Sequence, residues 1–331
     1  MPSKFKIVRT DLELETPHVD QVLRAAGHDL VLLPDGIGED ALIAEVRDAD
    51  LLLMCYTPVT ARVIVAARRL KGIVKYGVGI DAIDIPAARA RGIAVVNIPE
   101  YAEETVAEGA FALMIALAKK LVPLQRQMQA EGWAWPDARW LGSDIAGKTV
   151  GLVGLGRICR SMARIAGAVY RARVLGYNPN VSAQEMREAG VEKRDDLREM
   201  LAESDFVSIH CVLNDQTRGL IGRAELAAMK PTAFLINTSR GAIVDEAALL
   251  DALERGAIAG AALDVFSQEP LAKTGHPLSR LYEMDNVILS PHLTFYTAEA
   301  MRRLEDETLE RCFEILEGRK VVVKSGDPRL R

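Results

Sequence analysis

Short runs of β-branched and other apolar residues recur along this chain, and most are separated by stretches with the spacing of an amphipathic helix. That alternation constrains the fold more than any other feature. It builds βα units, in which each crossover helix returns the chain so that the next strand lies parallel to the last. Strand-like runs fall at residues 6–9, 30–33, 51–54, 72–75 and 94–97, enough for one complete α/β series. Thr60 is the expected N-cap of a helix over 60–70. A second series starts at Thr149, with strands expected at 149–154, 174–177, 206–209, 233–237, 260–265 and 287–290. Six strands with crossover helices suit a doubly wound parallel sheet. Between the two series, the pattern predicts one apolar helix over 105–122 and then an irregular stretch over 123–147. That stretch holds all three tryptophans, Trp133, Trp135 and Trp140. Either they pack the loop onto its own domain, or the segment projects and buries them against a second subunit, since aromatic residues are enriched at such contacts. The second reading predicts a two-fold homodimer. A charged amphipathic helix over 297–317 is expected to pack on the first series, because the second is already complete.

Composition narrows the function classes. A chain of 331 residues has room for two domains. Its 41 Lys and Arg against 46 Asp and Glu leave a formal charge of −5, which argues against a dedicated nucleic-acid or anionic-membrane surface. The longest apolar stretch, residues 109–118, falls well short of the roughly 20 residues a membrane span needs. The first residues lack a signal-peptide pattern. Cys55, Cys159, Cys211 and Cys312 are scattered and form no CxxC pair, so neither a structural metal nor a disulfide framework is expected, and a cytoplasmic setting fits.

One turn points to a dinucleotide. Gly154-Leu155-Gly156-Arg157-Ile158-Cys159 lies between an expected strand and an expected helix. The glycines permit a tight turn and close approach to a pyrophosphate, and the helix N-terminus presents N–H groups and partial positive charge. Cys159 stands where a third glycine is usual and is small enough to pack helix on strand. About 20 residues on, an acidic residue would hold the adenosine ribose. Here that place reads Tyr177-Asn178-Pro179. Asn178 can hydrogen-bond a ribose hydroxyl but does not repel a 2′-phosphate, and no cation follows immediately. NAD is the expected cofactor, with NADP as the alternative.

Three later segments each follow an expected strand, where a doubly wound sheet places its ligand crevice. They are Asn237-Thr238-Ser239-Arg240-Gly241, Asp264-Val265-Phe266-Ser267-Gln268-Glu269-Pro270 and Ser290-Pro291-His292. Reduction of a 2-oxo acid needs a cation for the carboxylate, and a guanidinium grips it with two parallel hydrogen bonds. The carbonyl oxygen needs a proton, which histidine can give and take back. A carboxylate on the other ring nitrogen orients the imidazole. Arg240, His292 and Glu269 fit those roles in turn.

In these motifs the chain resembles the D-isomer-specific 2-hydroxyacid dehydrogenase family over nearly its whole length. The matching pieces are YGVGID from Tyr76, TVAE from Thr105, VGLGRI from Val153, NTSRGAIVDE from Asn237, ALDVFSQEP from Ala262 and SPH from Ser290. The resemblance implies a Rossmann nucleotide domain over 102–295, inserted into a flavodoxin-like substrate domain formed by 1–101 and 296–331, with the active site in the cleft between them. It implies that Arg240, Glu269 and His292 are catalytic and that the backbone N–H groups of Val78 and Gly79 meet the substrate carboxylate. Thr105, Gly154, Gly156, Arg157, Ile158 and Asn178 are implied cofactor contacts, as are Thr217, Thr238 and Ser239. Asp264 would meet the nicotinamide amide. The family's His-x-Pro-Leu segment, which lies beside the adenine of the cofactor, appears as His210-Cys211-Val212-Leu213, with Val212 in place of proline, so His210, Cys211 and Val212 are implied cofactor contacts too. Tyr101 and the Phe-Tyr-Thr run containing Tyr296 are similar to the D-lactate dehydrogenase branch and are implied substrate contacts. Other stretches resemble the phosphoglycerate, glyoxylate and hydroxypyruvate branches. The implied partner is a small 2-oxo or 2-hydroxy acid. Corepressors of the C-terminal-binding type share this scaffold, which leaves a nucleotide-sensing regulator as the alternative function.

Overall fold

The computed structural model describes residues 4–330. The chain forms two compact units, one made of the residues up to Ala102 with those from Tyr296 onward, the other of Glu103–Phe295. In the first, β1 (Lys6–Arg9), β2 (Asp29–Leu32), β3 (Leu51–Met54), β4 (Gly72–Lys75) and β5 (Ala94–Asn97) pair in the order β2-β1-β3-β4-β5, all parallel. This is the flavodoxin-like order. β3 and β4 are buried along their whole length, as strands covered on both faces must be. Thr60 caps its helix as expected, its hydroxyl accepting from Val63 N, although that helix is shorter, Ala61–Ala66. The helix Ala298–Leu316 starts at Thr297, which accepts from Ala300 N at 3.2 Å, and packs on the helix Pro17–Ala25 and on β4.

The second unit holds seven parallel strands: β6 (Thr149–Val153), β7 (Arg173–Tyr177), β8 (Glu192–Lys193), β9 (Phe206–Ile209), β10 (Phe234–Asn237), β11 (Gly260–Leu263) and β12 (Val287–Leu289). Their order is β12-β11-β10-β9-β6-β7-β8. Strand order reverses between β6 and β9, which creates the switch point at which doubly wound sheets bind ligands. β8 was not expected. It is a two-residue edge strand of charged residues, and an edge needs no apolar run to be stable.

The expected helix over 105–122 is also corrected. It runs from Glu103 to Ala118, breaks at Lys120 with φ +50°, and a new helix covers Leu121–Glu131. Pro123 explains the break. In one continuous helix its ring would collide with the carbonyl of Lys119, whereas in the first turn of a new helix it is tolerated. Much of the stretch expected to be irregular is therefore helical.

Candidate active site

β10, β11 and β12 end side by side in one sheet, and the residues that follow them meet. His292 Nδ1 stands 2.8 Å from Glu269 Oε2. Glu269 Oε1 accepts from the Phe266 backbone N–H at 2.8 Å. Burial pushes the Glu269 carboxyl up, but the hydrogen bond and charge of His292, the Phe266 amide and the positive charge of Arg240 outweigh it, so the group lies below its ordinary value and stays ionised. Arg240 donates from Nη1 to the Ser239 carbonyl at 2.8 Å. A guanidinium, a carboxylate and an imidazole thus converge after three consecutive strands.

Two backbone features make the convergence possible. A Cβ on Gly241 would lie 2.0 Å from the Phe266 carbonyl carbon. Only glycine lets the turn after Arg240 close on the segment that carries Glu269. His292 sits at φ +59°, a left-handed conformation that costs a non-glycine residue about 1–2 kcal/mol. The fully buried Asp264 holds it there, with Oδ1 accepting from Leu293 N at 3.0 Å and Oδ2 from Thr294 N at 3.1 Å and Thr294 Oγ1 at 2.6 Å. Asp264 is thus engaged within its own unit. It fixes the backbone that aims His292.

The glycine turn after β6 has the shape expected of it. Gly154, at φ +109°, lies against the His210–Cys211 backbone, where a Cβ would be 2.9 Å from the His210 carbonyl oxygen. Cys159 is fully buried in the third-glycine position and its thiol reaches the Gly154 carbonyl at 3.1 Å. Burial raises that thiol to about 12, so it serves as packing. Gly156 caps the helix Arg157–Arg164 at an ordinary negative φ, and a Cβ there would meet no atom within 4 Å. Nothing in the chain demands glycine at 156, whereas a bound pyrophosphate would. Two buried polar atoms near the strand ends, Thr238 Oγ1 and His210 Nδ1, have no partner within the described residues. His210 is held by burial down to about 4 and is neutral, with Nε2 2.9 Å from Ser208 Oγ. This donor set fits a dinucleotide.

The Thr217 hydroxyl donates to the Val212 carbonyl at 2.6 Å and accepts from Asn214 N at 2.9 Å, so it orders its own turn. Ser239 Oγ donates to the Ile209 carbonyl at 2.8 Å. Arg157 pairs with Glu103 at 3.0 Å, Ile158 is partly buried and Val212 exposed, and burial raises the Cys211 thiol to about 11. Thr105 is buried in the helix Glu103–Ala118. Val78, Gly79, Tyr101 and Tyr296 belong to the first unit. There Tyr101 is buried and its carbonyl accepts from Arg303 Nε at 2.8 Å, while Tyr296 is exposed.

A family model for the D-isomer specific 2-hydroxyacid dehydrogenase NAD binding domain matches residues 111–294, more than half of the chain. A glyoxylate reductase of Korarchaeum cryptofilum is 40% identical over 280 residues, covering 84% of this chain and 82% of that protein. This chain belongs to the D-isomer-specific 2-hydroxyacid dehydrogenase family. It is thereby an NAD-dependent oxidoreductase in class. A D-3-phosphoglycerate dehydrogenase of Methanocaldococcus jannaschii is 38% identical over 284 residues, 86% of this chain, which spans only 53% of that relative's length. Among solved structures, a D-lactate dehydrogenase from Aquifex aeolicus complexed with NAD and lactic acid superposes with a TM-score of 0.84 at 29% identity, covering 94% of this chain and 96% of that one.

Within this dehydrogenase scaffold, reading the sequence missed Asn97. Its Nδ2 donates to the Val78 carbonyl at 2.6 Å, and Ile98 N donates to the Gly77 carbonyl at 3.0 Å, so the end of β5 shapes the loop of residues 77–79. The one available signal was a polar residue closing the apolar run Ala94–Asn97.

Proposed function

We propose that this protein interconverts a small 2-oxo acid and its D-2-hydroxy acid with NAD(H), residues 103–295 serving as the nucleotide domain and the remainder as the substrate domain. The meeting of Arg240, Glu269 and His292 carries this reading. Bound NADH supplies the hydride. The Arg240 guanidinium grips the substrate carboxylate with parallel hydrogen bonds. His292, held through Nδ1 by Glu269, uses Nε2 to protonate the carbonyl oxygen in reduction and to take the proton back in oxidation. The test is NADH consumption with a panel that includes glyoxylate, pyruvate and hydroxypyruvate. Tight NADH binding without turnover of any member would support the nucleotide-sensing regulator instead.

Asn178 tunes the choice of cofactor. It follows β7, and its Oδ1 accepts from Asn180 N at 2.9 Å. The acceptor expected to face the ribose is thus engaged within the chain, and the amide presents its N–H donors. A donor does not repel a 2′-phosphate. We expect NADH to be preferred by a narrow margin, and Asn178→Asp to widen it by worsening the KM for NADPH, because like charges at a binding site can cost several kcal/mol. An unchanged NADPH KM in the variant would detach Asn178 from the ribose.

The tryptophan-bearing segment supports a homodimer. Trp133 and Trp135 are 58% and 77% exposed, with ring centroids 6.1 Å apart in an edge-on pair, and Leu141 is 77% exposed. Trp140, in contrast, is only partly exposed, with Arg139 over its ring at 4.7 Å. Light scattering is expected to give about twice the 36.2 kDa chain mass, and Trp135→Asp should shift the protein toward monomer. A monomer at micromolar concentration would defeat this assignment. Four cysteines that form no disulfide among the described residues accord with a reducing cytoplasm. Among the described residues, no helix is long and apolar enough to cross a membrane.

A further inference from the structure

In the first unit, β3 and β4 run side by side and end at a buried pair that the reaction does not use. Cys55 follows β3 and is 6% exposed, and Lys75 closes β4 and is 4% exposed. Lys75 Nζ lies 3.2 Å from Cys55 Sγ. It also stands 5.6 Å from the Tyr56 ring centre, and among the described residues it has no carboxylate in ion-pair range. The thiol also reaches the Tyr76 carbonyl at 3.3 Å. A buried amine whose nearest polar partner is a sulfur is unusual, because buried charges are ordinarily matched by a carboxylate. Cys159 and Cys312 are equally buried, yet neither has an amine against its sulfur among the contacts of the described residues.

We propose that Cys55 and Lys75 form a reversible covalent crosslink when the protein meets hydrogen peroxide. The thiol sulfur attacks the peroxide O–O bond and becomes a sulfenic acid, with release of one water. Sulfenic acids condense with nearby nitrogen to sulfenamides. The Lys75 ammonium gives up a proton to solvent, its nitrogen attacks the sulfur, and the sulfenic oxygen leaves as a second water. The sum is Cys–SH plus Lys–NH₃⁺ plus one H₂O₂, yielding Cys–S–NH–Lys, two waters and one proton. Sulfur is oxidised by two electrons, one peroxide is reduced, and a thiol such as dithiothreitol reverses the bond.

The consequence is local. A Cβ on Gly77 would lie 2.7 Å from Lys75 Nζ, so the ammonium sits against the loop that carries Val78 and Gly79. The crosslink removes that charge from beside the loop and joins the end of β4 to the residue after β3. Given the function proposed above, oxidation raises the KM for the 2-oxo acid and leaves NADH binding unchanged.

The experiment exposes the full-length protein to hydrogen peroxide, quenches with catalase, and maps peptides by mass spectrometry without reductant. The expected product joins the Cys55 and Lys75 peptides with loss of two hydrogens, disappears with dithiothreitol, and is absent in Cys55→Ser and Lys75→Arg. Sulfinic acid at Cys55 beside an unmodified Lys75, a joined product that retains an oxygen atom, or no change at Cys55 would each overturn the proposal. The map needs no turnover, so it stands or falls separately from the dehydrogenase reading. Substrate KM before and after dithiothreitol then tests the consequence, and an unchanged KM in crosslinked protein overturns the effect on the loop.

Discussion

His292→Ala is expected to lower turnover by a factor on the order of 10²–10⁴, the usual worth of a positioned acid–base, while leaving NADH affinity nearly intact. The imidazole stands after β12 with Nδ1 2.8 Å from Glu269, and its backbone is held at φ +59° by Asp264. Such an arrangement orients one nitrogen in order to use the other. Alanine also relieves the Glu269 carboxylate of its partner, while the Phe266 amide and the Arg240 charge remain to keep it ionised. Steady-state kinetics with NADH titrations on both proteins decide the matter. Turnover within a few-fold of the parent would remove His292 from proton transfer.

Arg240→Lys is expected to be far from conservative. Lysine keeps the charge but offers a point cation where a planar fork would hold both carboxylate oxygens. Loss of one charge-assisted hydrogen bond costs about 1.5–3 kcal/mol, so kcat/KM should fall roughly 10- to 100-fold, with most of the change in KM. The fold should survive, because Gly241 rather than the guanidinium sets the approach of this turn to the Glu269 segment. Equal kinetics toward every accepted 2-oxo acid would show that Arg240 only braces its turn through the Ser239 carbonyl.

Legibility followed burial. β1, β3, β4, β5 and β9 were readable to the residue, each from a short apolar run that is at least partly buried. β8 was invisible, since two charged residues at a sheet edge carry no hydrophobic signal. The break at Lys120 was overlooked because the apolar pattern continues past it, and the physical cause, the ring of Pro123, acts four residues upstream. The glycine turn and the segments bearing Arg240, Glu269 and His292 were readable because each follows a strand, and a parallel sheet delivers all its strand ends to one edge.

What the residues settled by themselves was therefore the α/β class, two series of βα units, and three chemical groups suited to a carboxylate, a proton and an imidazole. Partnership was settled by tertiary structure. Asp264 was legible as a polar residue after a strand, but only the fold shows its oxygens engaged by Leu293 and Thr294. Asn178 was legible as an acceptor, but only the fold shows that Asn180 occupies it. Cys55 and Lys75 lie 20 residues apart in unremarkable runs, and only the pairing of β3 with β4 brings sulfur and nitrogen to 3.2 Å. Periodicity records which side of an element is buried, whereas a hydrogen bond depends on where two distant backbones end, and that is decided by packing.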